Sequence, residues 1–322
     1  MPAPASVSWQ EGRLRLDSTF SVQLGGAVRD DRLTRAIARF VRHAEGTTGL
    51  LLDRERRSAG LVVRVRGKGE PVQSPAENES YTLTILPGGA TLDAATPVGA
   101  LRGLETVLQL IVSDSAGWYL PAASIEDRPR FPWRGLLIDV GRHWEPPEVI
   151  KRQLDGMAAV KLSVLHWHLS EDQGFRVESK RYPRLQQLGS DGLYYTQEQI
   201  RDIVAYARDR GIRIVPEFDV PGHSTAWFVG YPGYASQPGP YAIERRFGVF
   251  VPTFDPSREA TYHFLEGFIT EMAALFPDAY WHIGGDEVEG SQWRTNPRIR
   301  AFMRSHRLEN NGALQAYFNR RL

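Results

Sequence analysis

Apolar and polar residues alternate along three stretches in the first part of the chain. Leu14 and Leu16 alternate with Arg13 and Arg15, Val63 and Val65 with Arg64 and Arg66, and Tyr81, Leu83 and Ile85 with Thr82 and Thr84. A period of two predicts half-buried strands. Between the first two stretches, Leu33, Ile37, Phe40 and Val41 recur at helical spacing while Arg35, Arg39 and Arg42 fall on other faces. That spacing predicts a helix with a solvated arginine side. A second helix is expected over 97–112. Together these elements read as a small α/β domain with an antiparallel sheet, over 1–127.

The rhythm changes after Asp127-Arg-Pro-Arg-Phe-Pro-Trp133, whose two prolines mark a boundary. From 128 to 322, short apolar runs at 136–140, 163–168, 212–216 and 279–283 alternate with helical patterns over 147–160, 196–210 and 256–276. Thr196 and Gln199 suit a capping box, and Gly211 suits the stop. Asp255 and Pro256 suit the cap and first position of the third helix. Repeated strand–helix units with buried strands imply a parallel sheet. The fold class is therefore α/β, the N-terminal half of a TIM barrel of the (β/α)8 type with four units, preceded by the small domain. The stretch 231–254, rich in Pro, Gly and Tyr, has no period and reads as a loop at a pocket rim.

Composition narrows the partners. The 39 basic and 38 acidic residues nearly cancel, so neither a nucleic acid nor a membrane surface is called for. An apolar run of about eighteen residues, the minimum for a membrane helix, is missing from the sequence. The start, MPAPASVSWQEG, lacks the charged and apolar regions of a signal peptide. The expected compartment is the cytoplasm, or the exterior with a signal outside this sequence. Zero cysteines exclude disulfides, thiolate nucleophiles and cysteine metal sites. Asn78-Glu79-Ser80 fits a glycosylation triplet, a pattern common by chance.

Each of the four barrel runs ends in a polar cluster: Asp139 with Arg142, His166 through Gln173, Glu217 through His223, and Gly284 through Glu289. In a strand–helix barrel the C-terminal strand ends converge on the face that holds the active site. Adjacent carboxylates such as Asp286 and Glu287 point different ways and can meet one substrate at different atoms. In an apolar, aromatic site at least one would have a raised pKa and could donate a proton. The preceding Gly284-Gly285 permits an unusual turn. The same pair also suits the first turn of a following helix.

The stretches 133–144 (WRGLLIDVGRHW), 166–174 (HWHLSEDQG), 211–223 (GIRIVPEFDVPGH) and 282–289 (HIGGDEVE) resemble glycoside hydrolase family 20, the β-N-acetylhexosaminidases. The N-terminal unit looks like the small domain before that family's barrel. The resemblance implies an exo-acting hydrolase of terminal β-linked GlcNAc or GalNAc, with a glycan or chito-oligosaccharide as partner and no cofactor. It implies a retaining mechanism in which the substrate's acetamide oxygen is the nucleophile and forms an oxazolinium ion. It makes Glu287 the acid/base, Asp286 the group that orients the acetamide, and Arg142 the binder of the outer sugar hydroxyls. Asp172 and His223 become a supporting pair for Glu287.

Other readings accompany these. Glu217 and Asp219 are expected in buried hydrogen-bonding roles, and His166, His168 and His282 as satisfied core histidines. Trp144, Trp167 and Trp227 could stack on sugar rings, with Trp167 expected in the core. His166, His168, His223 and Asp286 superficially suit a metal-dependent hydrolase, although no His-x-x-x-His helix pair supports a metal. A carbohydrate-binding protein without catalysis is a third class. Four of eight barrel units, with 310–322 leading towards a fifth strand, suggest a truncated copy that is weak or inactive alone, which turnover of a chitobiose analogue tests.

Overall fold

The computed structural model describes residues 2–28, 30–54 and 60–322. The chain divides into two compact units. The first comprises Met1–Leu136, Lys151–Val164 and Ala205–Arg213. Its elements are β1 (Ser6–Leu16), β2 (Val22–Gly25), α1 (Asp31–Thr48), β3 (Leu61–Val65), β4 (Tyr81–Leu86), β5 (Gly89–Ala94), α2 (Pro97–Gln109), β6 (Val112–Asp114) and β7 (Gly117–Asp127). The strands form one sheet in the order β1-β7-β4-β5-β3-β2, with β6 on β7.

This sheet is mixed, a correction to the antiparallel sheet expected from the pattern. β1, β4 and β6 pair antiparallel with β7, but β3 runs parallel to both β5 and β2. The cause is α1, which lies between β2 and β3 in the chain; such a crossover returns a strand in the same direction. The alternating residues do what their period predicts. Leu61, Val63, Leu83 and Ile85 share one core with Leu33, Ile37 and Phe40 of α1. α2 lies so close to β5 that a Cβ at Gly103 would collide with Leu92.

A polar cluster is buried in the same unit. Glu79 accepts from Arg102 Nε at 2.6 Å and from Arg134 Nη2 at 2.7 Å, and Arg102 donates onward to the carbonyls of Arg210 and Gly211. Lys161 Nζ donates to Tyr81, Thr106 and Asp127. Buried charges persist only when paired in this way.

The second unit comprises Leu137–Ile150, Leu165–Val204 and Ile214–Leu322. From Gly135 onward the chain runs β8 (Gly135–Asp139), α3 (Pro147–Ala159), β9 (Val164–His168), β10 (Ser170–Glu171), β11 (Gly174–Phe175), α4 (Arg184–Gly189), α5 (Gln197–Arg208) and β12 (Arg213–Glu217), with most of α3 and the end of α5 in the first unit. It continues through α6 (Thr225–Gly230), α7 (Glu259–Ala273), α8 (Ser291–Thr295), α9 (Pro297–Ser305) and α10 (Asn311–Arg321). β12, β9 and β8 form a three-stranded sheet in that order. The fourth run is no strand: it meets β12 at a single parallel bridge, Glu217 to His282. Gly284 and Gly285, at φ 65° and 99°, turn the chain away just beyond it. Among the described residues the sheet is an open part of a barrel.

The helix starts test the capping rules. At α5 the box forms as expected: Thr196 Oγ1 accepts from Gln199 N–H at 3.2 Å and Gln199 Oε1 from Thr196 N–H at 2.9 Å. α7 starts at Glu259 instead of Pro256. Asp255 Oδ1 accepts from the N–H and hydroxyl of Ser257, an Asx turn that holds this segment outside the helix. Trp167 and Trp227 are fully buried, which removes Trp227 as a sugar platform. It packs edge-on against Phe175, Phe254 and Phe268. Trp144 is half-buried against Tyr195. Among the described residues no helix is long and apolar enough to cross a membrane.

Candidate active site

The site is built at the ends of the strands in the second unit. β9 and β12 deliver His166, His168 and Glu217 to one point. Glu217 Oε2 lies 2.6 Å from His166 Nε2 and 2.7 Å from His168 Nδ1, and its Oε1 lies 2.8 Å from His282 Nδ1. Burial would push this carboxyl up, but the three imidazoles hold it well below the ordinary range. His168 feels the reverse: burial pulls it down, yet Glu171 and Glu217 push it up to about 10. The histidines expected as satisfied core residues instead share one carboxylate as ion pairs, with His166 Nε2 and His168 Nε2 buried without a hydrogen bond and His282 half exposed.

Arg142 follows β8 and is held by a carboxylate three residues earlier. Its backbone N–H donates to Asp139 Oδ1 at 3.0 Å and its Nη1 to Asp139 Oδ2 at 2.6 Å. Its Nη2 stands 2.6 Å from Glu171 Oε1. The Arg142 side chain keeps about a third of its surface open.

His223 is buried and sits at φ 48°, left-handed backbone that costs a non-glycine residue about 1–2 kcal/mol. Its Nδ1 is hydrogen-bonded to Glu171 Oε2 at 3.1 Å, with Asp172 Oδ2 farther away at 3.5 Å. Burial pulls the imidazole down, but Asp172 and Glu171 push it up to about 11. Its Nε2 faces Glu287 Oε2 at 3.5 Å. Glu287 also has φ 48°, so two strained residues meet at this contact.

The turn that carries the acid pair rests on Asp219. This buried carboxyl accepts the Gly285 N–H at 2.8 Å, and any Cβ at Gly284 would be driven into it. Gln315 donates to the Gly285 carbonyl from α10. Burial, reinforced by the charge of Asp286, pushes Asp219 up to about 8 against the pull of the Gly285 N–H and His223.

Of the residues picked from the pattern, Asp286, Glu287 and His223 gather with ligand-type atoms within 4.8 Å of one another. Asp172 and Arg142 do not touch each other; Glu171 stands between them. Among the described residues Asp286 and Glu287 are exposed, the Glu287 side chain by 57%. Glu171 and Asp139 were missed as orienting groups. Their signal was a carboxylate placed where β10 must bury it, and a carboxylate three residues before an arginine. The four groups of the metal reading are distributed: His166 sits with Glu217 and His282, Asp286 with His223 and Glu287. The first set is joined by ion pairs through Glu217, and the second by the His223–Glu287 pair.

The model of the glycosyl hydrolase family 20 catalytic domain matches residues 131–322, and that of the family's domain 2 matches residues 1–128. The β-hexosaminidase subunit β of Homo sapiens is 43% identical over 232 residues, 71% of this chain and 41% of its own length. A β-hexosaminidase of Porphyromonas gingivalis is 36% identical over 84% of this chain and 38% of its own. The solved chitobiase of Flavobacterium johnsoniae is 45% identical, with a TM-score of 0.96 over 100% of this chain and 50% of that one. The exo-β-N-acetylglucosaminidase of Vibrio harveyi, solved with N-acetylglucosamine, is 27% identical with a TM-score of 0.82 over 99% of this chain and 52% of that one. The chain spans about half the length of the curated relatives it matches. With both family domains matched in order and the strand-end clusters brought together, the chain belongs to glycosyl hydrolase family 20.

Proposed function

We propose that the protein removes terminal, non-reducing β-linked N-acetylhexosamine from glycans or chito-oligosaccharides by a substrate-assisted, retaining route. The observation that carries this reading is the meeting of buried, cationic His223 with exposed Glu287, beside Asp286. Glu287 protonates the leaving oxygen and then takes a proton from the incoming water. The His223 imidazolium beside it stabilises the carboxylate left after transfer. Asp286 accepts the acetamide N–H, which aims the acetamide oxygen at the anomeric carbon and offsets the positive charge that develops. Arg142, clamped by Asp139 and Glu171, presents its remaining N–H groups to the outer hydroxyls and so favours chain ends. The names of the relatives support the substrate class, and no step requires a cofactor.

Aryl N-acetyl-β-hexosaminides of graded leaving-group quality test the assignment. Glu287→Gln should slow poor leaving groups most, because the acid is gone. Asp286→Asn should slow all of them alike. Equal and mild effects of the two substitutions on turnover would overturn the reading.

A further inference from the structure

We propose that the first unit carries a further, non-catalytic binding site: an open cavity floored by paired charges and rimmed by Arg128 and Arg130, which takes a saccharide bearing a carboxylate. Every residue that lines it belongs to that unit, and the inference does not depend on the function proposed above.

The cavity measures about 770 Å³, within the roughly 300–1,000 Å³ typical of small-ligand sites. Five cationic side chains line it against two carboxylates. Glu79 answers both Arg102 and Arg134, and Asp127 answers Lys161. The charge left over is positive, and exposed Arg128 and Arg130 carry most of it. Among the described residues neither of these guanidiniums has a carboxylate partner.

The floor is a built feature. α3 ends in a Schellman turn, in which the Lys161 N–H donates to the Ala158 carbonyl at 2.9 Å and the Leu162 N–H to that of Met157 at 2.8 Å. The left-handed position of such a turn usually falls to glycine, yet here it is Lys161, at φ 61°. Both ends of the residue serve the cavity. Its carbonyl accepts from Arg134 Nε at 2.8 Å, and its ammonium donates to Tyr81, Thr106 and Asp127. All three ammonium protons are thereby committed, so the floor supplies positive field and not free donors.

Direct recognition therefore falls to Arg128 and Arg130, whose forked N–H groups match the two oxygens of a carboxylate. The wall beside them is apolar, made by Pro4, Pro129 and Phe131. Phe131 is 57% exposed, and the Arg130 guanidinium lies 4.7 Å from its ring centroid. A cation held against a ring fits a ligand that joins an apolar face to an anionic substituent, as a uronic acid does.

An NMR titration of the full chain with glucuronate, glucose and inorganic sulfate, read at the backbone amides, locates and ranks the binding. Glucuronate should shift the amides of Arg128, Arg130 and Phe131, with a dissociation constant about tenfold or more below that of glucose. Inorganic sulfate, which has the charge without the ring, should bind about tenfold more weakly than glucuronate. Arg128→Gln combined with Arg130→Gln, both at exposed positions, should raise the glucuronate constant about tenfold or more and leave that of glucose unchanged. Phe131→Ala should weaken both sugars alike. No shift with glucuronate, glucuronate bound no better than glucose, or full affinity in the double variant overturns the site. Shifts confined to 139–142 and 284–289 overturn it too, because they put the sugar in the active site. Sulfate bound as tightly as glucuronate makes the cavity an adventitious ion seat only and overturns the saccharide assignment.

Discussion

Asp219→Asn isolates the buried acid beneath the Gly284–Gly285 turn. In the fold this carboxyl has its pKa raised to about 8, first by burial and then by Asp286. In the unfolded chain it titrates near 3.8. The sign follows from proton counts. Between those values the folded protein holds a proton that the unfolded chain has released, so this site loses stability as pH rises. Its contribution is complete below the unfolded value and is gone once pH passes about 8. The slope is about 1.4 kcal/mol per pH unit for one proton, or roughly 4 kcal/mol between pH 5 and pH 8. Asparagine cannot ionise, yet its Oδ1 can still accept the Gly285 N–H. Urea unfolding of both proteins across that range, at fixed ionic strength, gives a difference from which titrating groups remote from Asp219 cancel. The variant should gain on the wild type steadily as pH rises. A flat difference would mean that Asp219 is ionised in the fold and is simply an anionic partner for His223.

Three further outcomes follow from close packing and buried charge. Gly284→Ala, at φ 65° with its Cβ aimed into Asp219, should cost about 3 kcal/mol or more and lower the melting temperature; an unchanged melting temperature refutes the packing. Glu79→Gln leaves Arg102 buried without its anion and should cost about 3–5 kcal/mol in denaturant unfolding. Glu79 has its carboxyl held low by Arg102 and Arg134 against burial, so its contribution is present near neutral pH and fades as acid reprotonates it. A loss under about 1 kcal/mol would show the pair to be dispensable. Trp227→Ala empties the centre of the aromatic core and should cost about 3–5 kcal/mol, whereas a sugar platform would change KM with stability intact.

Periodicity made legible whatever depends on neighbouring residues. The β4 alternation, the α1 face and the Thr196–Gln199 box lie where the pattern puts them, because each is set by residues a few positions apart. The direction of β3 was not legible, since parallel or antiparallel pairing depends on the crossover that α1 makes between two strands. Nor was the start of α7, where an Asx turn at Asp255 competes with a helix cap using the same side chain. The site divides the same way. Asp286, Glu287, Arg142, Asp172 and His223 stand in recognisable runs. Glu171 stood in one of those runs unnoticed, because its role comes from Arg142 and His223, which approach it only through the fold.

Burial alone does not decide the protonation of this cluster. Glu171 and Asp219 are both 1% exposed and share His223 within one group, yet one carboxyl lies near 2 and the other near 8. The difference is in what each faces: Glu171 has Arg142, His168 and His223 against its oxygens, while Asp219 has one backbone N–H and a weaker pull from His223, opposed by the charge of Asp286. Interacting groups titrate as a unit. At neutral pH the unit therefore holds an anionic Glu171, a cationic His223 and a neutral Asp219. That distribution keeps a positive charge facing Glu287 without a second anion beneath the turn. In the proposed reaction, an acid that gives up its proton to a leaving oxygen gains from a cation at its side, and a neutral Asp219 leaves that cation paired with Glu171 and Asp172.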